Sequence, residues 1–278
     1  MRSPTFSLVS TALLLVGGAV ASCHGKPAAC QTLDASIVAH SGTPVGKEVK
    51  NGDVTLYITE PDKKNGRAKA RSGAAVLYLT DVFGIALPEN KLLADSFARA
   101  GYLTIAPDLF NGSPAPGDIN VPGFNTTAFL AAHGPEVTDP IIASTIAYLR
   151  QKHGITHIAA TGYCFGGRYS FRVLAPGGGV EVGFAAHPSL LEGGEITGIA
   201  GPVAIAAASN DALFGPAPRA DAEAKLTAGS QKWQVNLYAG TQHGFGVRVD
   251  LSDPQQKYAK EEAFLQAVRW FDRFLVAE

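Results

Sequence analysis

A chain of 278 residues, 46% hydrophobic and 17% charged, is too long for a peptide module and too apolar for disorder. Its 23 Lys+Arg against 24 Asp+Glu leave a formal charge of −1, so no basic field marks a nucleic-acid partner. No repeat period or low-complexity tract breaks it, and its length suits one large core.

Met1–Ala21 carries one charge, Arg2, then an apolar run through Val20 that ends in the small residues Ala19-Val20-Ala21. This is the pattern of a secretory signal peptide cleaved after Ala21, and the run is short for a membrane span. Residues 22–278 are therefore expected to be a secreted single domain with no membrane partner in the mature form. Val20-Ala21-Ser22-Cys23 also matches a lipoprotein box, the competing reading of the same segment. In an oxidising compartment Cys23 and Cys30 can pair as a disulfide, leaving Cys164 as the odd thiol. Asn111 and Asn125 head glycosylation sequons, the first followed directly by Pro114.

Further along, Val54–Thr59 alternates like an edge strand. Short apolar runs follow at Ala74–Thr80, Leu103–Ala106, Ile158–Thr161, Val182–Ala186, Val203–Ala208 and Val235–Tyr238. Near-continuous apolar runs suit strands buried on both faces of a parallel sheet. Helical patterns lie between them at Asn90–Ala100, Pro140–Lys152 and Phe165–Leu174, and Pro254–Val276 closes the chain. Asp139-Pro140 reads as a cap followed by a first-turn proline. The alternation predicts an α/β fold. Asn111–Asn125, rich in proline and glycine, predicts a loop over one end of the sheet.

Chemistry concentrates at Gly162-Tyr163-Cys164-Phe165-Gly166-Gly167, between a predicted strand and a predicted helix. This is a nucleophile elbow with cysteine in the usual serine position. Side chains two before and two after the nucleophile would collide with backbone, so glycine is required there. The helix N-terminus at Cys164 favours a thiolate. A buried structural cysteine is the alternative. Asp211 comes just after the run Val203–Ser209, and His243 follows the run ending at Tyr238, so nucleophile, acid and histidine stand in the chain order such elbows use. All three fall at carboxyl ends of predicted strands, where open α/β sheets build sites. His187 also follows a strand, but it precedes the acid. Asp81, in Thr80-Asp81-Val82-Phe83-Gly84, is either a fourth site group or a turn aspartate.

Together with Ala106-Pro107-Asp108-Leu109-Phe110 and His243-Gly244-Phe245, these segments resemble the dienelactone hydrolase family of α/β-hydrolases, from about Val54 to Leu275. With its leader, the chain is similar to secreted fungal members. The resemblance implies a mostly parallel central sheet flanked by helices. It implies a Cys164–His243–Asp211 triad, an oxyanion hole from the N–H groups of Val82 and Phe165, and a carboxylate at position 81 holding the resting thiol. Members usually carry glutamate there; Asp81 is one methylene shorter. Arg248 resembles the family's carboxylate-gripping arginine. Asp81, Tyr163, Arg168, His187 and Arg248 are the candidate substrate-binding residues.

The expected activity is hydrolysis of small esters or lactones through an acyl-cysteine, the substrate being the one partner the sequence indicates. An acyltransferase or thioesterase, or a binding protein with a vestigial triad, are the alternatives. No HExxH, paired Cys-x-x-Cys or phosphate loop calls for a metal or cofactor. Oligomeric state is not encoded legibly.

Overall fold

A computed structural model describes residues 34–64 and 66–276. The leader and the Cys23/Cys30 pair lie outside the described residues. The fold begins with a hairpin, β1 (Lys47–Asn51) and β2 (Val54–Thr59). The strands β3 (Ala74–Leu79), β4 (Leu103–Pro107), β5 (His157–Tyr163), β6 (Val182–Ala186), β7 (Val203–Asn210) and β8 (Trp233–Gln242) follow. They form one eight-stranded sheet in the order β1-β2-β4-β3-β5-β6-β7-β8. β1 and β2 pair antiparallel and β2 meets β4 antiparallel; all other pairs are parallel. The expected α/β architecture and mostly parallel sheet are present. β2 is not the edge, as expected, but second: the polar strand Lys-Glu-Val-Lys-Asn covers it, a composition that discourages edge pairing.

Alternate residues of the central strands feed opposite layers. Val76 and Tyr78 pack with α2 (Pro88–Arg99) and α8 (Pro254–Phe274), where Phe97, Phe264 and Phe271 meet. Leu77 and Leu79 pack with α4 (Pro135–His153) and α5 (Phe165–Arg172) on the other face. Burying each such phenylalanine contributes about 1.5–3 kcal/mol. Both faces need apolar side chains, which is why these runs show no alternation.

α4 starts a turn earlier than the Asp139-Pro140 signal predicts. Gly134 caps it, Pro135 takes the first-turn position, and Pro140 lies inside the helix. Asp139 instead pairs with Arg172 at 2.5 Å. The short helices α1 (Gly66–Ala70), α3 (Thr126–Ala132), α6 (Gly193–Thr197) and the longer α7 (Pro216–Ala228) carry few buried apolar positions, so no strong period announced them. Among the described residues no helix is long and apolar enough to cross a membrane. Asn111–Asn125 forms the expected loop at the carboxyl edge of the sheet, and Asn125 caps α3 through Ala128 N–H.

Candidate active site

The elbow forms as its glycines require. Cys164 sits between β5 and α5 at φ 52°, ψ −112°, a strained conformation for a residue with a side chain. A Cβ on Gly162 would strike the Gly166 backbone, and one on Gly166 would strike Leu79. Cys164 is thereby lifted to the sheet edge, and its Sγ lies 3.6 Å from Ser189 Oγ. The Ser189 N–H donates to the Cys164 carbonyl at 3.0 Å, fixing the two segments together.

Asp211 follows β7 directly and is buried. Its Oδ1 accepts from the N–H groups of Leu213 and Phe214 at 2.8 and 3.1 Å. His243 follows β8, and its Nδ1 lies 3.0 and 2.9 Å from the two Asp211 oxygens. Burial raises the Asp211 pKa, but His243 and the two amides outweigh it and hold the carboxyl below its ordinary value. Burial likewise lowers the His243 pKa, yet the bonds to Asp211 and the nearness of Cys164 carry it up to about 10. His243 Nε2 is buried and makes no hydrogen bond of standard geometry. It nonetheless lies close enough to Cys164 for the sulfur to raise the His243 pKa. The three residues separated by 47 and 32 positions in the chain thus meet at one edge.

Asp81 lines the same cavity but does not hold the thiol. Its Oδ1 accepts from Phe83 N–H at 3.1 Å and from Asn90 Nδ2 at 2.8 Å. Burial raises its pKa, opposed by Asn90, Arg248, the Phe83 amide and His243. Its Oδ1 is engaged by its own turn and by α2, and no hydrogen bond joins the side chain to Cys164 among the described residues. Val82 N–H has no acceptor among the described residues, and Phe165 N–H opens α5, where helices leave donors unpaired.

Arg248 lines the cavity with its guanidinium carbon 4.0 Å from the Phe83 ring centroid. No carboxylate among the described residues lies within ion-pair distance of it. Three other expectations are corrected. Arg168 turns away and binds Glu195 at 2.8 Å and Glu192 at 2.5 Å, tying α5 to α6. Tyr163 is buried against Tyr78, ring centroids 5.0 Å apart, beneath the cavity rather than on its wall. His187 is fully buried, with its ring 5.0 Å from His243 and 5.5 Å from Phe245. Neither ring nitrogen has a partner, and burial, then the His243 charge, push its pKa well below the usual histidine value.

Sequence reasoning missed Ser189 and Asn90. A signal existed for Ser189: it lies three residues past β6, the strand beside the elbow strand, at the same carboxyl edge. Asn90 bridges Asp81, the Gly84 carbonyl and Tyr78 from inside α2, and nothing local marks that role. The cavity measures about 480 Å³, within the usual range of about 300–1,000 Å³ for small-molecule sites.

The dienelactone hydrolase family model matches residues 57–275. The chain is 40% identical over 236 residues to hydrolase pyvD of Aspergillus violaceofuscus, covering 85% of this chain and 93% of that protein. It is 38% identical over 243 residues to hydrolase tropI of Talaromyces stipitatus, with the same coverage of 85% and 93%. The solved dienelactone hydrolase of Anabaena variabilis superposes with a TM-score of 0.58 at 13% identity, covering 83% of this chain and 97% of that one, a likeness of fold.

Proposed function

Because the chain belongs to the dienelactone hydrolase family and is a carboxylic ester hydrolase acting on esters or lactones, we propose that Cys164 is its nucleophile, His243 its general base and Asp211 the residue that orients the base. The observation that carries this reading is the ordering of His243. Asp211 holds Nδ1, which leaves Nε2 as the proton acceptor on the Cys164 side.

Because the site favours the charged form of His243, the Cys164 proton passes to Nε2 first, and the sulfur then attacks the ester carbonyl. The oxyanion that develops meets the N–H groups of Val82 and Phe165, donors of a kind worth roughly 3–4 kcal/mol each. The carbon–oxygen bond breaks, and the imidazolium returns its proton to the leaving alkoxide. A water then gives a proton to Nε2 and attacks the acyl-cysteine, releasing the acid and the thiol. Arg248, cationic and unpaired at the cavity wall, offers a carboxylate-bearing substrate its counter-charge. Export through a leader ending at Ala21 belongs to the same reading, and N-terminal sequencing of the secreted protein tests it.

The test is hydrolysis of dienelactone and p-nitrophenyl acetate by the purified protein and its Cys164→Ala variant, with intact-mass analysis of rapidly quenched samples. Turnover lost in the variant, and an acyl adduct on the Cys164 peptide, are expected. Equal turnover in both proteins would overturn the assignment of the nucleophile.

A further inference from the structure

The cavity has two chemically different walls. On the His243 side stand Arg248 and Phe83. The Asn111–Asn125 loop and α3 add Ile119, Phe124, Phe129 and Leu130 to the same lining. Phe129 and Phe124 end a continuous ring series that starts in the core at Phe165, next to Cys164 in the chain. Phe165 lies 5.3 Å from Phe110, Phe110 5.4 Å from Phe129, and Phe129 5.5 Å from Phe124, centroid to centroid.

The series opens onto an apolar mouth. Ile119, Leu190 and Leu213 line the cavity while remaining 39%, 46% and 55% exposed. Leu190 is moreover held at φ 58°, a left-handed conformation that costs a bulky residue on the order of 1–3 kcal/mol. Exposed leucines gathered round one opening, one of them strained, mark a surface that a ligand covers.

We infer that the substrate is an ester or lactone bearing an aryl group, which lies along Phe129 and Phe124 under Leu190 and Leu213, and an anionic group that meets Arg248. A small lactone would fill the catalytic end and leave the aromatic wall wet. An aryl ring extends the existing ring series at favourable edge or offset spacing. The inference rests on the hydrolase reading above and assigns its site a substrate class.

Two esters differing by one ring test it: monomethyl succinate and monomethyl 2-phenylsuccinate, followed by acid release with the full chain. The phenyl compound should have a kcat/KM at least about tenfold higher, the low end of what one apolar group gains in a fitted pocket. The ratio should fall towards one in Phe129→Ala and in Leu213→Ser, the second at an exposed position where folding is not at stake. Equal kcat/KM for the two esters, or a ratio that survives both substitutions, overturns the aryl assignment while leaving the hydrolase intact. Calorimetry separates the two readings if neither ester turns over. Binding of 3-phenylpropanoate about tenfold tighter than propanoate would uphold the aryl wall and leave the catalytic reading to its own test on dienelactone and p-nitrophenyl acetate, and equal binding would overturn the aryl assignment.

Discussion

Cys164 Sγ is hydrogen-bonded to Ser189 Oγ at 3.6 Å, and His243 Nε2 beside it has no completed bond. A hydroxyl on the segment after β6 therefore shares the sulfur with His243. The family resemblance led us to expect a carboxylate at position 81 in this role, but the Asp81 hydrogen bonds run from Oδ1 to Asn90 and the Phe83 amide and none reaches the sulfur. Removing the hydroxyl leaves Nε2 as the sulfur's partner. Ser189→Ala should alkylate with iodoacetamide roughly 2–10-fold faster at neutral pH, the value of one hydrogen bond. Rates read by intact mass check this, and a slower rate would mean that Ser189 stabilises the thiolate instead.

Asp211 is both orienter and counter-ion for His243. An amide in its place can present its N–H to Nδ1 and reverse the tautomer, so that Nε2 carries the proton when it must accept one. Asp211→Asn should lower kcat by up to about 10⁴, as in other triads, with a much smaller change in KM. Steady-state kinetics on p-nitrophenyl acetate measure both.

The two facing histidines give stability opposite dependences on pH. His243 rises to about 10 from an ordinary 6.5, so folding favours its charged form. Its contribution is complete below pH 6.5 and is lost as pH climbs through 10. His187 is pushed the other way, so folding favours its neutral form. That contribution is complete above pH 6.5 and is lost as pH falls below it. Melting temperatures across pH 4–10 should decline more gently at the alkaline end in His243→Gln. His187→Phe, set among Tyr163 and Phe245, should resist acid better than the native protein.

Arg248 faces the cavity without a carboxylate partner. A charge-assisted bond to substrate is worth about 1.5–3 kcal/mol, or roughly 10–100-fold. Arg248→Met should cut the kcat/KM preference for monomethyl succinate over methyl butanoate by that factor. An unchanged preference would remove Arg248 from substrate recognition.

Arg168 neutralises Glu195, which is also bound by Arg172 and is only 9% exposed. Arg168→Met should destabilise the fold by about 1–3 kcal/mol, because one of two counter-charges to a nearly buried carboxylate is lost. Its substrate preference should match that of the native protein. Chemical denaturation and the two-ester comparison read these separately.

Much of the site was legible because its signals are local. The elbow is written in Gly162, Cys164 and Gly166, where any Cβ would meet backbone, and no distant residue can relax that requirement. Asp211 and His243 each sit at the end of an apolar strand, and parallel strands send those ends to one edge. Arg168 stands beside the elbow in sequence, but Glu192 and Glu195, more than twenty positions on, claim its guanidinium, and no local signal marks that pairing.

The sequence by itself determined the α/β alternation, the sharp turn at Cys164 and the chain order of Cys164, Asp211 and His243 at strand ends. Each follows from backbone sterics or from the burial demands of a single strand. Only the tertiary structure decided that Ser189 bonds Cys164, that Asn90 claims Asp81, that His187 is sealed behind His243, and that Phe124 and Phe129 line one cavity with Arg248. Those relationships join segments far apart in the chain. Which polar atom finds which partner depends on ångström-scale packing between layers, and hydrophobic pattern sets the layers without setting that distance.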